Sequence, residues 1–330
     1  MPYVSLARPI LLIALAAPAL VAAQCLTTDT AANAMLPVTN VPRFYYIGLS
    51  GKKVLAPPVA SAMRFAGGLA VAWRAGKVGY IGRNGHWRID PKWDMAWPFH
   101  EGRAVVRAGK KFGFIDEAGT DVTPLAFDGA QNFSEGLAPV KVGDKTGFID
   151  AKGRMAIEPQ FDSASPFAFG RSGVSMDGKY GFIDRTGAFA FDLKFDWAHI
   201  FSEGVALVQV GKKWGYIRPD GSWLIEPRYA SAGHFKEGLA RFQADNGKWG
   251  FIGMKGSPAI QPAYDLARDF SDGYAVVGTG QHLGYIAKTG KLVIKPVFDE
   301  AEDFCTGAAL VSSRGGHGYI NKKGRFIWKS

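Results

Sequence analysis

One phenylalanine recurs along this chain with the regularity of a ruler. It stands at Phe65, Phe99, Phe133, Phe167, Phe201, Phe235, Phe270 and Phe304, spaced by 34 residues with one step of 35 after Phe235. A second anchor, Gly-aromatic-Ile, keeps step with it from Gly79-Tyr80-Ile81 to Gly318-Tyr319-Ile320. Two anchors held in register over most of a chain require tandem copies of one supersecondary unit. A unit this small cannot bury its apolar face alone, so neighbouring copies must stack. "YYIG" at 45–48 reads as a degenerate further copy, with Tyr45 in the place of the glycine.

Each column of the repeat has a physical role. A glycine column runs through Gly51, Gly85, Gly119, Gly153, Gly187, Gly221, Gly256, Gly290 and Gly324, where a hairpin turn needs positive φ. The glycine of Gly-aromatic-Ile lies inside a strand, which implies close approach by a neighbouring ring or backbone. Segments such as "SEGLAPVKV" at 134–142 alternate with the two-residue period of a half-buried strand. Pro91, Pro159, Pro227, Pro262 and Pro296 are expected to end the third strand, because proline cannot donate to a ladder. An aromatic-Asp pair such as Phe161-Asp162 closes the unit, giving three short strands and a return segment.

These features predict an all-β fold of tandem ~34-residue β-hairpin repeats. Propeller blades commonly hold four strands in about 40 residues or more, so a three-strand unit favours an open, twisted β-solenoid. The terminal fragments, 44–64 and 304–328, overlap instead of completing one another, which points the same way. The alternative is a closed β-propeller-like ring. The array is expected over 44–330: a partial copy at 44–64, repeats starting at 65, 99, 133, 167, 201, 235 and 270, and a partial copy at 304–330.

Residues 1–23 resemble a signal peptide. Arg8 precedes the apolar run "PILLIALAAPALVAA", and Val21 and Ala23 fit the small-residue positions before a cut that leaves Gln24 first. The expected mature protein is exported, to the periplasm or the extracellular space, with a linker at 24–43 and no transmembrane segment. Lipid anchoring at Cys25 is disfavoured by Gln24 before it. Cys25 and Cys305, the two cysteines, are candidates for a disulfide that closes a loop of about 280 residues. The other reading is a free Cys25 and a buried Cys305.

The sequence "GKKWGYIRPDGSWLIEPRY" at 211–229 and "GKWGFI" at 247–252 resemble the bacterial WG repeat, a lysine-tryptophan-glycine β-repeat. The resemblance covers about residues 44–328. Only Trp214-Gly215 and Trp249-Gly250 carry the literal dipeptide, whereas other copies keep the surrounding frame. The resemblance implies a β-repeat architecture and an interaction role, and it brings no catalytic residues.

Chemistry should break the repeat, because one catalytic constellation is needed and not eight. The histidines, His86, His100, His199, His234, His282 and His317, form no column and show no zinc-type spacing, so no metal is expected. Glu101, Glu135, Glu203, Glu237 and Asp272 do form a column, read as acceptors for backbone N–H groups near turns. Lys77, Lys111, Lys145, Lys179, Lys213 and Lys248 form another, able to grip a polyanion or simply to solvate one face. No nucleophile elbow, zinc-protease motif or phosphate loop is present, and neither catalytic residues nor a cofactor is expected. Trp73, Trp87, Trp93 and Trp97 crowd into one repeat and its exit, and are candidate binding residues. Repeat four departs from the frame, with "FAFGRSG" in place of the acidic turn.

A net charge of +10 favours weak attraction to anionic partners without defining a site. The expectation is therefore an exported, non-catalytic scaffold that binds a protein. The alternative is a module binding an envelope glycan or another anionic polymer through tryptophans and basic surface. No specific nucleic-acid partner is expected.

Overall fold

The computed structural model describes residues 34–40 and 43–330. They form nine antiparallel sheets, here called blades 1 to 9, and among them there is no helix. Blade 1 has three strands, Leu36–Asn40, Arg43–Ile47 and Lys53–Leu55. Blades 2 to 9 each have four, in chain order. Blade 4 is representative, with strands Gly129–Ala130, Leu137–Val142, Lys145–Asp150 and Met155–Phe161.

The return segment is the fourth strand, lying just before the strand here called the first, which is Leu137–Val142 in blade 4. It is only two residues long and pairs with the following strand, Gly129 opposite Lys141 and Ala130 opposite Val140. This is how 34 residues hold four strands. The prolines also take a different place from the expected one. Pro159 lies inside Met155–Phe161, where the register shifts between the pairs Thr146–Phe161 and Phe148–Ile157. A bulge leaves a residue without a ladder bond, so proline forfeits nothing there. The bulge also explains the strand glycine. A Cβ on Gly79 would lie 2.5 Å from the Ile89 carbonyl oxygen and 2.7 Å from the Pro91 nitrogen. The turn glycines all have positive φ, as Gly119 at +83° and Gly153 at +79° do.

Blades pack face to face. The aromatic of Gly-aromatic-Ile meets the anchor phenylalanine of the next blade at centroid distances near 5 Å, as in Phe114–Phe133 (5.1 Å) and Phe182–Phe201 (4.9 Å). Phe114 packs with Ala138, Val140 and Ile149 of blade 4. Tyrosine in that column adds a hydrogen bond across the seam, Tyr80 Oη donating to the Trp97 carbonyl at 2.7 Å.

The same packing joins the two ends of the chain. Tyr319 of blade 9 packs with Leu36, Val38 and Ile47 of blade 1, which are the three columns that Ala138, Val140 and Ile149 represent in blade 4. Tyr319 Oη donates to the Pro37 carbonyl at 2.9 Å, and Trp328 Nε1 donates to Tyr45 Oη at 3.2 Å. The array is therefore a closed nine-bladed ring, and the open solenoid gives way to the alternative. The terminal fragments overlap because each end builds a blade of its own. Leu36–Asn40, within the segment read as a linker, supplies a strand to blade 1. Residues 1–33, and with them the signal-peptide reading and Cys25, lie outside the described residues.

Candidate functional site

Two charged columns are spent on holding blades together. Lys145 meets Asp162 seventeen residues on at 2.7 Å, and the second oxygen of Asp162 accepts the Asp177 N–H of the next blade at 2.9 Å. Lys77–Asp94, Lys111–Asp128, Lys179–Asp196 and Lys248–Asp265 repeat the pair. Hydrogen bonds from these lysines, then from backbone N–H groups, hold the five carboxyls below the usual range. These lysines are each matched by a carboxylate, which leaves them poorly placed to grip a polyanion. The glutamates reach forward rather than to their own turn: Glu101 accepts the Glu135 and Gly136 N–H groups at 2.7 and 2.8 Å.

Against this repeating frame, the two residues before each anchor phenylalanine do not repeat. In chain order they are Met63-Arg64, Trp97-Pro98, Gln131-Asn132, Ser165-Pro166, His199-Ile200, Gly233-His234, Arg268-Asp269 and Glu302-Asp303. Their backbone is nevertheless constant. The first of each pair donates its N–H to a first-strand carbonyl, from Met63 to Val71 at 2.8 Å through Glu302 to Leu310 at 2.8 Å. A fixed backbone carrying free choice of side chain is how rigid folds present binding residues. Sequence reading saw this signal only as histidines that formed no column.

From blade 6 onward these positions form one contiguous polar arc. The His199 and His234 rings meet edge to face at 4.8 Å. Burial, and then His234, push the His199 imidazole down to about 4, so it is neutral. Burial also lowers His234, with Asp269 opposing. Arg241 Nε donates to Asp269 Oδ1 at 2.9 Å, and Arg241 Nη1 to the Ala267 carbonyl at 3.1 Å. Arg241 occupies a first-strand position that is Val71, Val105, Pro139, Gly173, Leu207, Val276 or Leu310 in other blades. Room for it comes from Gly233, where a Cβ would lie 2.5 Å from Asp269 Oδ1 and 2.7 Å from Arg241 Cγ.

The arc continues through Arg268, which faces Glu302 at 3.7 Å, to Asp303. Asp303 is exposed, yet enough protein surrounds it that desolvation raises its carboxyl, with Arg268 opposing and Glu302 reinforcing. Across the closing seam the arc meets Arg64, whose guanidinium lies over the Tyr319 ring at 5.8 Å and donates to the Cys305 carbonyl at 3.3 Å.

In blades 3 to 5 the same columns are uncharged. Trp97, Val105, Gln131, Asn132 and Pro166, with Ala130, line a pocket of about 250 Å³. The four candidate tryptophans do not converge. Trp93 is 3% exposed in the core against Tyr80, and Trp73 packs beside it opposite Val78. Trp87 sits at the seam of blades 1 and 2 under the Arg74 guanidinium, and only Trp97 reaches the pocket, tilted on Phe112 at 5.9 Å. The exposed indole is Trp197, 45% accessible and 4.8 Å from Tyr180. Cys305 is buried, and its candidate partner Cys25 lies outside the described residues. Among the described residues no group of histidine, cysteine or carboxylate side chains could hold a metal, and no helix is long and apolar enough to cross a membrane.

The family model "WG containing repeat" matches residues 79–112, 112–145, 147–180, 180–214, 214–249, 249–280 and 284–315. The chain belongs to the WG repeat family. No curated protein matches the WG-repeat chain in sequence. Among solved structures, a eukaryotic initiation factor superposes with a TM-score of 0.65 at 12% identity, covering 90% of this chain and 95% of that one. That likeness concerns the fold alone. The C-terminal WD40 domain of Sif2 gives 0.45 at 7% identity over 76% and 91% of the two chains, and BamB from Moraxella catarrhalis gives 0.41 at 10% over 77% and 94%.

Proposed function

We propose that this WG-repeat ring is an exported, non-catalytic scaffold that binds a protein partner through the polar arc from His199 to Asp303. The observation that carries the reading is Arg241. A guanidinium replaces an apolar or small residue in the first strand, Gly233 clears space for it, and Asp269 receives it. Folding the ring does not require this, because the other blades fold without it. Rigid, half-buried ion pairs with unequal neighbours give orientation and partner selectivity more than raw affinity.

The test is capture of envelope proteins by the mature chain, compared with Arg241→Leu and with Trp97→Ala. The expected result is a defined partner retained at high salt, lost with Arg241→Leu and kept with Trp97→Ala. Equal capture by both variants would remove the arc from the function. A second reading, an envelope glycan, draws support from the pocket beside Trp97 and from exposed Trp197. It expects Trp97→Ala, and not Arg241→Leu, to release the chain from cell-wall polysaccharide.

Export, to the periplasm or beyond the cell, belongs to the same proposal, as does a Cys25–Cys305 bridge. Blade 9 carries Cys305 next to the closing seam, where a tether from the N-terminal segment would reinforce closure. A non-reducing peptide map of the secreted chain checks both, since export predicts Gln24 as the first residue.

A further inference from the structure

The ring displays its own ligand chemistry five times and then leaves the place open. Glu101, Glu135, Glu203, Glu237 and Asp272 all have φ between +51° and +54°, a region that L residues seldom enter. Each carboxylate crosses to the next blade and accepts backbone N–H groups there: Gly170 to Glu135 at 3.0 Å, Gly238 to Glu203 at 2.8 Å, Gly273 to Glu237 at 3.0 Å, Gly307 to Asp272 at 2.6 Å. Those charge-assisted bonds offset the strained backbone. In blade 5 the same position is Phe169, at φ +54°, with the ring 52% exposed. The Glu203 and Gly204 N–H groups, which stand where the others receive a carboxylate, have no acceptor among the described residues.

Phenylalanine in this conformation gains neither burial nor the hydrogen bonds that compensate its neighbours. Strain without structural return is where function is to be sought. We propose that Phe169 and the Glu203–Gly204 N–H pair form a docking site for an acidic peptide segment, the partner's Glu or Asp side chain taking the place of the missing carboxylate. The occupants of the equivalent sites are carboxylates on a polypeptide, which sets the ligand class. The Phe169 ring supplies apolar contact for the residue beside the acid. The site stands apart from the polar arc and does not depend on its function. Gly67, in the same column, gives an internal comparison: the Glu101 and Gly102 N–H groups also lack an acceptor among the described residues, and residue 67 carries no side chain to stand beside them.

The test is a 15N TROSY titration of the full mature chain with acetyl-Ala-Glu-Leu-amide and with its Gln counterpart. Saturable shifts are expected at the Glu203 and Gly204 amides with the Glu peptide, and binding at least tenfold weaker with the Gln peptide. The Glu101 and Gly102 amides should respond more weakly than Glu203 and Gly204. Phe169→Glu, a residue the frame accepts at four equivalent positions, should raise the unfolding midpoint and abolish the response. Equal shifts from the two peptides would overturn the proposal, and they require no variant. So would an unchanged response in folded Phe169→Glu. Tighter binding of glucuronate than of the Glu peptide at the same amides would overturn the peptide assignment.

Discussion

At the same repeat columns, blades 3 to 5 present a neutral pocket, whereas blade 6 presents a polar imidazole and blades 7 to 9 present charge. Trp97, Gln131 and Ser165 correspond to His199, Gly233, Arg268 and Glu302, and Val105 corresponds to Arg241. The backbone hydrogen bonds beneath them match throughout. The difference therefore lies wholly in side chains, and the frame tolerates either kind. A guanidinium at the Arg241 position, however, needs its counterpart. Arg241 needs both Asp269 and the empty space at Gly233, and the neutral half offers neither.

The largest effect should come from forcing one half to imitate the other. Val105→Arg buries a guanidinium at a site 2% exposed and without a carboxylate opposite, a loss of about 3–5 kcal/mol. The reverse change, Arg241→Val, leaves Asp269 unpaired but a quarter accessible to water, a loss of about 1–2 kcal/mol. Urea unfolding of the two variants measures the contrast, and equal losses would dissolve it.

A smaller effect should separate the halves by pH. Neutral His199 sits well below its unfolded value of 6.5, so the unfolded chain binds the proton more readily. Stability from this group is complete above about 6.5 and is lost as pH falls towards about 4, amounting to roughly 2 kcal/mol once solvent screening of this half-buried ring reduces the full value of about 3. His199→Gln should reduce the fall of the unfolding midpoint across that window, leaving the share carried by His234 and His100, whereas Gln131→Ala should leave the profile unchanged. The Lys-paired aspartates act at lower pH. Their stabilisation is present above their unfolded value of 3.8 and is lost as pH falls through their depressed folded values. The smallest effect belongs to the frame itself. Lys145→Ala and Lys248→Ala, one in each half, remove exposed ion pairs and should lower the melting temperature slightly and equally.

Much of the frame was legible because it repeats. Glycine at positive φ, the buried aromatics of Gly-aromatic-Ile and the stacking of copies all follow from local chemistry that each unit must solve alone. The resemblance carried by Trp214-Gly215 and Trp249-Gly250 also placed the chain in its family. Three features were not legible. Prolines such as Pro159 were read as strand ends because the bulge that shelters them forms only when the neighbouring strand is in place. The lysine and aspartate columns were read separately, since nothing local joins Lys145 to Asp162. The polar arc escaped notice because a search by column finds what recurs, and His199, Arg241 and Asp303 matter by not recurring. Of the four candidate tryptophans, Trp73, Trp87 and Trp93 pack against neighbouring strands and Trp97 lines the pocket, a division that only the packed blades decide.

By itself the sequence determined the unit, its strands, its turns and its need for neighbours, because those depend on residues within one or two copies. Closure was decided only in three dimensions. Whether Tyr319 reaches Pro37 depends on the small rotation between blades summed around the whole ring, and no single repeat encodes that sum. The tertiary structure likewise decided which unlike side chains share a neighbourhood, since Arg241 and Asp269 meet only once two blades have packed.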